Sequence, residues 1–157
     1  MIDPTSYLKD MLTPSRRELA RLVELFQREI GRGLAGEEST IAMHPSFVSR
    51  PSGGETGRFV ALDLGGSNVR VTIVEPNGRG SAAVKRQESF RLTTTAGDAR
   101  DLFGPVAEFI GTVLGSDSSH ELGFIFSFPV QQDSVRSGRL EKWTKEFAFD
   151  GVEGEDV

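Results

Sequence analysis

The turn inside the segment FVALDLGGSNVRVTIVE carries residue types that suit the binding of an anion. Gly65 and Gly66 let the backbone turn sharply and expose successive amides, which suit a phosphate oxygen because it is an acceptor that needs close approach. Ser67 and Asn68 add neutral hydrogen-bonding groups. The pattern is neither the dinucleotide motif GxGxxG nor the P-loop, and an ordinary hairpin turn uses the same residue types. We keep both interpretations open and call residues 65–67 the glycine turn.

Two charged residues flank the glycine turn. Asp63 precedes it and is suited to hold a magnesium-bound water, since Mg2+ keeps several waters and takes few carboxylates. Arg70 follows it and adds a positive charge. The segment therefore predicts a phosphate site with one acidic and one basic neighbour.

A second candidate is FSFPVQQ, in which Ser127 and Phe128 follow an apolar segment. Phe128 precedes Pro129 and is biased to an extended conformation. Residues at the carboxyl end of a buried strand often face a ligand crevice, and the Ser127 hydroxyl both donates and accepts. A plain strand end stopped by proline has the same sequence, so this interpretation also stays open.

A third candidate is LEKWTKEF, which offers the Thr144 hydroxyl and the three donors of Lys145. A neutral polyol such as a sugar needs mixed partners of this kind around its ring. A solvated charged loop is the competing interpretation.

The remaining ionisable residues give weaker signals. His44 and His120 are far apart and have no metal-ligand spacing, so we expect surface or capping roles. The acidic residues near the C-terminus predict a solvated face, with a catalytic base among them as an alternative. They are Asp133, Glu141, Glu146, Asp150, Glu153, Glu155 and Asp156.

The composition is that of a packed, acidic domain of ordinary size. The chain has 157 residues, a net charge of −5 and 37% hydrophobic residues, which gives no reason to expect nucleic acid or an anionic membrane as a partner. It has no cysteine, which excludes disulfides and Cys-ligated zinc. No signal peptide or membrane-length apolar run is visible, so we expect a cytoplasmic protein.

The first part of the chain predicts one helix followed by a connector rich in Gly, Pro and Ser. Ser15 and Glu18 form a capping box at the helix start, and Gly31 and Gly33 are expected to end it. Its apolar residues recur at helical spacing and predict an amphipathic helix that packs on a core. They are Leu19, Leu22, Val23, Phe26 and Ile30.

The second part predicts the order strand, strand, strand, helix, strand. The strands are RFVALDLG, VRVTIVE, AAVKRQESFRL and ELGFIFSF, of which the first and fourth are expected to be buried. Between the third strand and the helix, LTTTAGDARD predicts a loop in which Asp98 or Asp101 caps the helix. Pro105 is expected near the first helical turn. Hairpin and loop material follows up to Val157, with no further helix or strand.

Taken together, these segments resemble the hexokinase and glucokinase family. LDLGGSNVRV is similar to the family's first phosphate motif, where threonine more often stands at the position of Ser67. GFIFSFPVQQ followed by WTKEF is similar to its sugar-binding segment. ELARLVELFQREIGRGLAG and the connector are similar to its entry helix, so the resemblance covers the chain from about Ser15 to Val157.

The resemblance implies an α/β fold, the ribonuclease H-like lobe of the sugar kinase, actin and heat-shock ATPase superfamily, with a mixed sheet and flanking helices. It implies ATP-dependent phosphorylation of a glucose-type hexose at its terminal hydroxyl, the first step of glycolysis, with ATP and Mg2+ as cofactors. Ser127, Phe128, Pro129, Thr144 and Lys145 would bind the sugar. The ATP phosphates would be bound by Asp63, which would also hold the metal through water, and by Gly65, Gly66, Ser67, Asn68 and Arg70.

The resemblance also implies what this chain lacks. The family's general base is the Asp of an Asn-Asp pair, which would lie beyond Val157. The large lobe and the last helix and strand of the small lobe would also lie beyond Val157. We therefore expect residues 1–57 to form the N-terminal helix and connector and residues 58–157 an incomplete small lobe that is inactive alone.

Two other readings of the chain are a stand-alone module that binds or senses sugar without catalysis and a non-binding scaffold. The scaffold is the weaker of the two, because the polar motif residues are intact. We also expect an open sheet edge beside the fourth strand, which invites formation of a homodimer.

Overall fold

The computed structural model describes residues 4–41, 43–115 and 120–157. The chain divides into two compact units, Met1–His44 and Pro45–Val157. In the described part of the chain no helix has the length and apolarity to cross a membrane.

The first unit contains helices α1 (Pro4–Leu12) and α2 (Arg16–Leu34). The predicted capping box is confirmed: the Ser15 hydroxyl accepts from the Glu18 amide, and the Glu18 carboxylate accepts from the Ser15 amide at 2.7 Å. The prediction that Gly31 and Gly33 end α2 is wrong, since both lie within its last turn. The helix continues to Leu34 and ends there because Gly36 takes the left-handed conformation, with φ of 72°.

The apolar face of α2 differs from its prediction. Leu19, Leu22, Val23 and Phe26 are all about half exposed, and α2 has no buried residue among the described ones. The periodicity predicted the apolar stripe correctly, whereas the packing of that stripe on a core is not seen within the described residues.

The described residues of the second unit, 45–115 and 120–157, form eight strands and one helix. They are β1 (Phe59–Leu64), β2 (Asn68–Pro76), β3 (Ala82–Arg91), β4 (Ala96–Asp98), α3 (Ala99–Leu114), β5 (Glu121–Phe126), β6 (Val130–Ser134), β7 (Ser137–Leu140) and β8 (Ala148–Asp150).

The main sheet is mixed and has the order β3-β2-β1-β5. β1 pairs antiparallel with β2, and β2 pairs antiparallel with β3, whereas β5 lies parallel to β1. The predicted order of three strands, a helix and a fourth strand is confirmed. A parallel pair needs a crossover connection, which α3 supplies between β3 and β5.

Helix α3 supplies one layer over this sheet. Asp98 is its N-cap, one of the two caps that the sequence predicts, and it also forms a capping box with Asp101. Leu102, Val106 and Val113 are buried in one apolar cluster with β1 and β2. The placement of Pro105 in the first turn is wrong, because α3 starts at Ala99 and the proline is its seventh residue. Pro105 is exposed.

The predicted burial of β1 and β5 is confirmed for one face of β1 and is wrong for β5. Along β1, fully buried residues alternate with partly buried ones, so one face is more deeply buried. β5 is an edge strand in the described residues, and its Leu122 and Ile125 are 51% and 55% exposed. An apolar run alone does not distinguish a central strand from an edge strand.

The C-terminal region is more ordered than its sequence predicts. The hairpin is confirmed as β6 and β7. The prediction of no further strand is wrong, and so is the prediction of a plain loop before α3, because β8 pairs parallel with β4. Two of the acidic residues bind backbone rather than only facing solvent: Glu153 accepts from the Trp143 amide and Asp156 from the Gly138 amide, both at 2.6 Å.

We predict that Leu102→Ala lowers the free energy of unfolding by about 2–5 kcal/mol, because it leaves a cavity between α3 and the sheet. The matched control Leu22→Ala, also on a helix but 55% exposed, should change it by less than about 0.5 kcal/mol. Urea denaturation followed by circular dichroism measures both. Equal losses for the two variants would contradict the observed burial.

Candidate functional site

The glycine turn joins β1 to β2 and keeps its amides available. Leu64 and Val69 are the last paired residues below it. The Ser67 carbonyl accepts from the Leu92 amide at 2.7 Å, which fixes the turn against the end of β3. Within the described residues, the amides of Gly65, Gly66 and Ser67 donate to no protein acceptor. The turn is thus both a hairpin connection and a set of free donors.

Asp63 and Arg70 lie directly opposite each other in the ladder of β1 and β2. The Asp63 Oδ2 is 3.9 Å from the Arg70 Nη1, and both side chains are more than one-third exposed. A loose pair of this kind is worth little in stability, and both groups can bind a ligand. No group of three or more potential metal ligands exists among the described residues. A single carboxylate still fits Mg2+, which binds through waters and substrate phosphates.

The parallel pairing of β1 and β5 brings the two predicted motifs together. Asp63 is level with Ile125, so both strands end at the same edge of the sheet. The Ser127 amide donates to the Leu64 carbonyl at 3.1 Å. A Cβ placed on Gly65 would lie 3.8 Å from the Ser127 Oγ, so the glycine turn and the start of FSFPVQQ are neighbours.

Lys145 connects three segments of the candidate site. Its Nζ donates to the Gly65 carbonyl at 2.6 Å and to the Ser127 carbonyl at 2.7 Å. It also lies 5.0 Å from the centre of the Phe128 ring, within the range of a cation–π interaction. Lys145 and Glu146 both have left-handed backbones, with φ of 59° and 66°, which is uncommon for two successive non-glycine residues.

The other residues predicted to bind sugar, Phe128, Pro129 and Thr144, differ in how far they are buried and bonded. Phe128 is 7% exposed and packs its ring 5.0 Å from those of Trp143 and Phe147, so a ligand would reach it mainly through the backbone. The Pro129 carbonyl accepts from the Glu141 amide at 2.9 Å. Thr144 is partly buried, and its hydroxyl has no partner in the part of the chain that the structure describes.

A cleft of about 900 Å3 opens beside the glycine turn. Its lining comprises Gly66, Ser67, residues 91–95 and residues 145–147. It therefore joins the predicted phosphate turn to Lys145, while Ser127 and Thr144 lie outside its lining.

Residues 91–95 were not predicted as site residues, because their sequence indicated a strand end and a loop. The available signal was the run of three threonines that begins two residues after β3, the strand that pairs with β2. The C-terminal acids contribute one lining carboxylate, Glu146, whereas Asp133 and Asp150 do not line the cleft.

We predict that Lys145→Met speeds hydrogen exchange of the Ser127 amide on the order of tenfold, because the two carbonyls lose their shared donor and the strand end opens more often. Lys142→Met, an exposed lysine of the same segment, should leave the rate unchanged. Exchange resolved by NMR measures both. An unchanged Ser127 rate in Lys145→Met would show that the contact does not hold the segments together.

The profile of the family described as hexokinase matches residues 5–157. Hexokinase-7 of Oryza sativa subsp. japonica is 40% identical over 162 residues, which cover 95% of this chain and 35% of that protein. The hexokinase of Schistosoma mansoni is 40% identical over 128 residues, covering 77% of this chain and 28% of that protein.

Solved structures agree with the sequence relatives and confirm the predicted fold class. The hexokinase from Schistosoma mansoni complexed with glucose has a TM-score of 0.73 and 37% identity, covering 85% of this chain and 33% of that one. A second hexokinase crystal structure has a TM-score of 0.77 and 34% identity, covering 93% and 38%. The chain spans about one-third of the length of the relatives it matches. It belongs to the hexokinase family.

Proposed function

We propose that this chain is the small-lobe portion of an enzyme that transfers the terminal phosphoryl group of ATP to the terminal hydroxyl of a glucose-type hexose. The observation that carries the proposal is Lys145, whose amine bonds at once to the glycine turn and to the Ser127 carbonyl. Phosphoryl transfer depends mainly on positioning two substrates side by side, and this contact joins a candidate phosphate segment to a candidate sugar segment.

In this proposal the phosphates lie against the glycine turn. Its free amides and the Ser67 hydroxyl donate to phosphate oxygens, while Asn68 and Arg70 supply further donors. Asp63 would hold a water of a bound Mg2+. The metal, when bound, would neutralise charge on the phosphates.

The sugar lies beside the carboxyl end of β5. The hydroxyls of Ser127 and Thr144 both donate and accept, which matches the hydroxyls of a sugar ring. The backbone of Phe128 and Pro129 forms the floor, since the aromatic ring of Phe128 is in the core. Lys145 uses two of its three donors on carbonyls, which leaves one for a ligand.

A general base is the part of the proposal that this sequence does not provide. The sequence contains no Asn-Asp pair, the motif that carries the base in the family it resembles. Of the described cleft residues, Glu146 supplies the carboxylate, and it is exposed on the left-handed turn. We propose that the base comes from outside these 157 residues and that the complete protein is cytoplasmic. A stand-alone sugar-binding module remains the alternative.

Sugar binding provides the first test. Trp143 is the only tryptophan and lies next to Thr144, so its fluorescence should change in a saturable way with D-glucose and stay flat with L-glucose. Thr144→Val removes one hydroxyl and should weaken D-glucose binding about tenfold, because a sugar hydroxyl then loses its partner. Thr112→Val, on the exposed side of α3, is the control. A flat D-glucose titration would contradict the sugar half of the proposal.

The second part of the same test separates the kinase from the binding module. With ATP, Mg2+ and glucose, the 157-residue chain should release no ADP above background, because it lacks the base. A longer form that contains the Asn-Asp pair should produce glucose phosphate. Binding without turnover in that longer form would favour the stand-alone module.

We also propose that the exposed edge of β5 promotes association of two chains. Leu122 and Ile125 leave apolar surface on an edge strand, which favours pairing with another strand. Light scattering should show a mass that rises with concentration. Ile125→Lys should suppress the rise, and Val135→Lys, in the turn of the β6–β7 hairpin, should not. A wild-type monomer at millimolar concentration would contradict this.

A further inference from the structure

We propose that Arg91 binds a phosphate group in the cleft, where it acts as an anchor additional to the glycine turn. The ligand class is a phosphate ester, either the nucleotide donor or the sugar phosphate product. The inference rests on the proposed function, because it extends the phosphate site by residues outside the sequence motif.

The position of Arg91 is fixed by two contacts. It is the last residue of β3 and lies directly opposite Asn68 in the ladder of β2 and β3. The next residue, Leu92, is buried and donates its amide to the Ser67 carbonyl at 2.7 Å. The backbone of Arg91 is therefore held beside the glycine turn, and Arg91, which is exposed, is one of the residues that line the same cleft.

The charge of the cleft favours an anion. Its charged lining residues are Arg91, Lys145 and Glu146, which leaves an excess of one positive charge. Lys145 already donates to two backbone carbonyls, whereas Arg91 has no acceptor within the described residues. A guanidinium with no ion-pair partner can donate two parallel hydrogen bonds to a phosphate group.

The neighbouring polar groups are mostly unused donors. Thr94 is satisfied by its own loop, since its hydroxyl donates to the Ala96 carbonyl and accepts from the Ala96 amide. In the part of the chain that the structure describes, the hydroxyls of Ser67, Thr93 and Thr95 have no partner. Together with the free amides of the glycine turn, they surround Arg91 with donors, which suits the many acceptor oxygens of a phosphate.

A backbone hydrogen bond holds Thr95, and with it the threonine run, in place at the cleft. The Thr95 carbonyl accepts from the Ala148 amide at 2.8 Å, beside the parallel pair of β4 and β8. This contact ties the threonine run to the segment that follows Lys145. Two segments of the cleft lining are thus connected through this hydrogen bond and the adjoining strand pair.

The test is a titration of the full 157-residue chain, labelled with nitrogen-15, with inorganic phosphate, ATP and glucose 6-phosphate. Arg91→Gln should weaken binding of the phosphate-bearing ligands roughly tenfold, and Arg91→Lys, which keeps charge without the bidentate fork, should weaken it less. Arg136→Gln, in the β6–β7 turn, should leave the affinities unchanged. Arg91 is exposed, so its variants should keep the dispersed wild-type spectrum.

The two ligand sources are separated by which affinity falls more. If Arg91→Gln loses more affinity for ATP, Arg91 binds a phosphate of the nucleotide. If it loses more for glucose 6-phosphate, Arg91 binds the phosphate of the product. Equal losses for all three ligands show that Arg91 recognises a phosphate group whatever it is attached to. Wild-type affinities in Arg91→Gln for all three ligands would overturn the inference, as would a wild-type chain that binds none of them. The glucose titration followed by Trp143 does not involve Arg91, so the proposed function can stand when the inference fails.

Discussion

The candidate site depends on one ammonium group that lies between two backbone carbonyls. The carbonyl oxygens of Gly65 and Ser127 belong to neighbouring strand ends, and both accept a hydrogen bond from Lys145 Nζ. Two such oxygens left without a donor would need water or would carry a desolvation cost. The sequence distance between Lys145 and Gly65 is large, so this contact ties the last part of the chain to the first strand. A charged donor makes these bonds stronger than neutral ones.

The backbone that presents Lys145 is itself uncommon, and the surrounding packing explains why it persists. Two consecutive left-handed residues are costly for side chains with a Cβ, so neighbouring contacts must hold them in place. On one side, the Trp143 amide donates to Glu153 and its indole to the Phe149 carbonyl. On the other, Phe147 is buried and donates its amide to the Thr144 carbonyl. The packed rings of Trp143, Phe147 and Phe149 therefore hold the backbone on both sides of Lys145. This packing fixes the direction from which the lysine reaches the two strand ends.

Local chemistry was readable from the sequence, while long-range pairing was not. Several features depend on residues a few positions apart and were predicted: the capping box of α2, an aspartate cap for α3, the order of the main strands and the turn between the first two. The parallel pair of β4 and β8 joins three-residue segments that lie about fifty positions apart in the sequence. Each segment is too short for its apolar pattern to predict a strand. The threonine run was missed for the same reason, since its position on the cleft depends on that pairing. The open edge at the fourth strand was expected, but the burial of that strand was overestimated, because burial depends on what packs against a strand, which its own sequence does not state.

The net negative charge of the chain means that binding of an anion depends on the groups in the cleft. A chain of net charge −5 does not attract anions as a whole, so any affinity for a phosphate ester must come from groups close to it. At physiological salt, charges farther away than about 8 Å are largely screened, which leaves the cleft residues to decide the local potential. Asp63 and Arg70 nearly cancel each other, and the amine of Lys145 is shared between two carbonyls. Arg91 is the cation of the cleft lining whose charge no described group offsets, so it is the group on which anion binding should depend most.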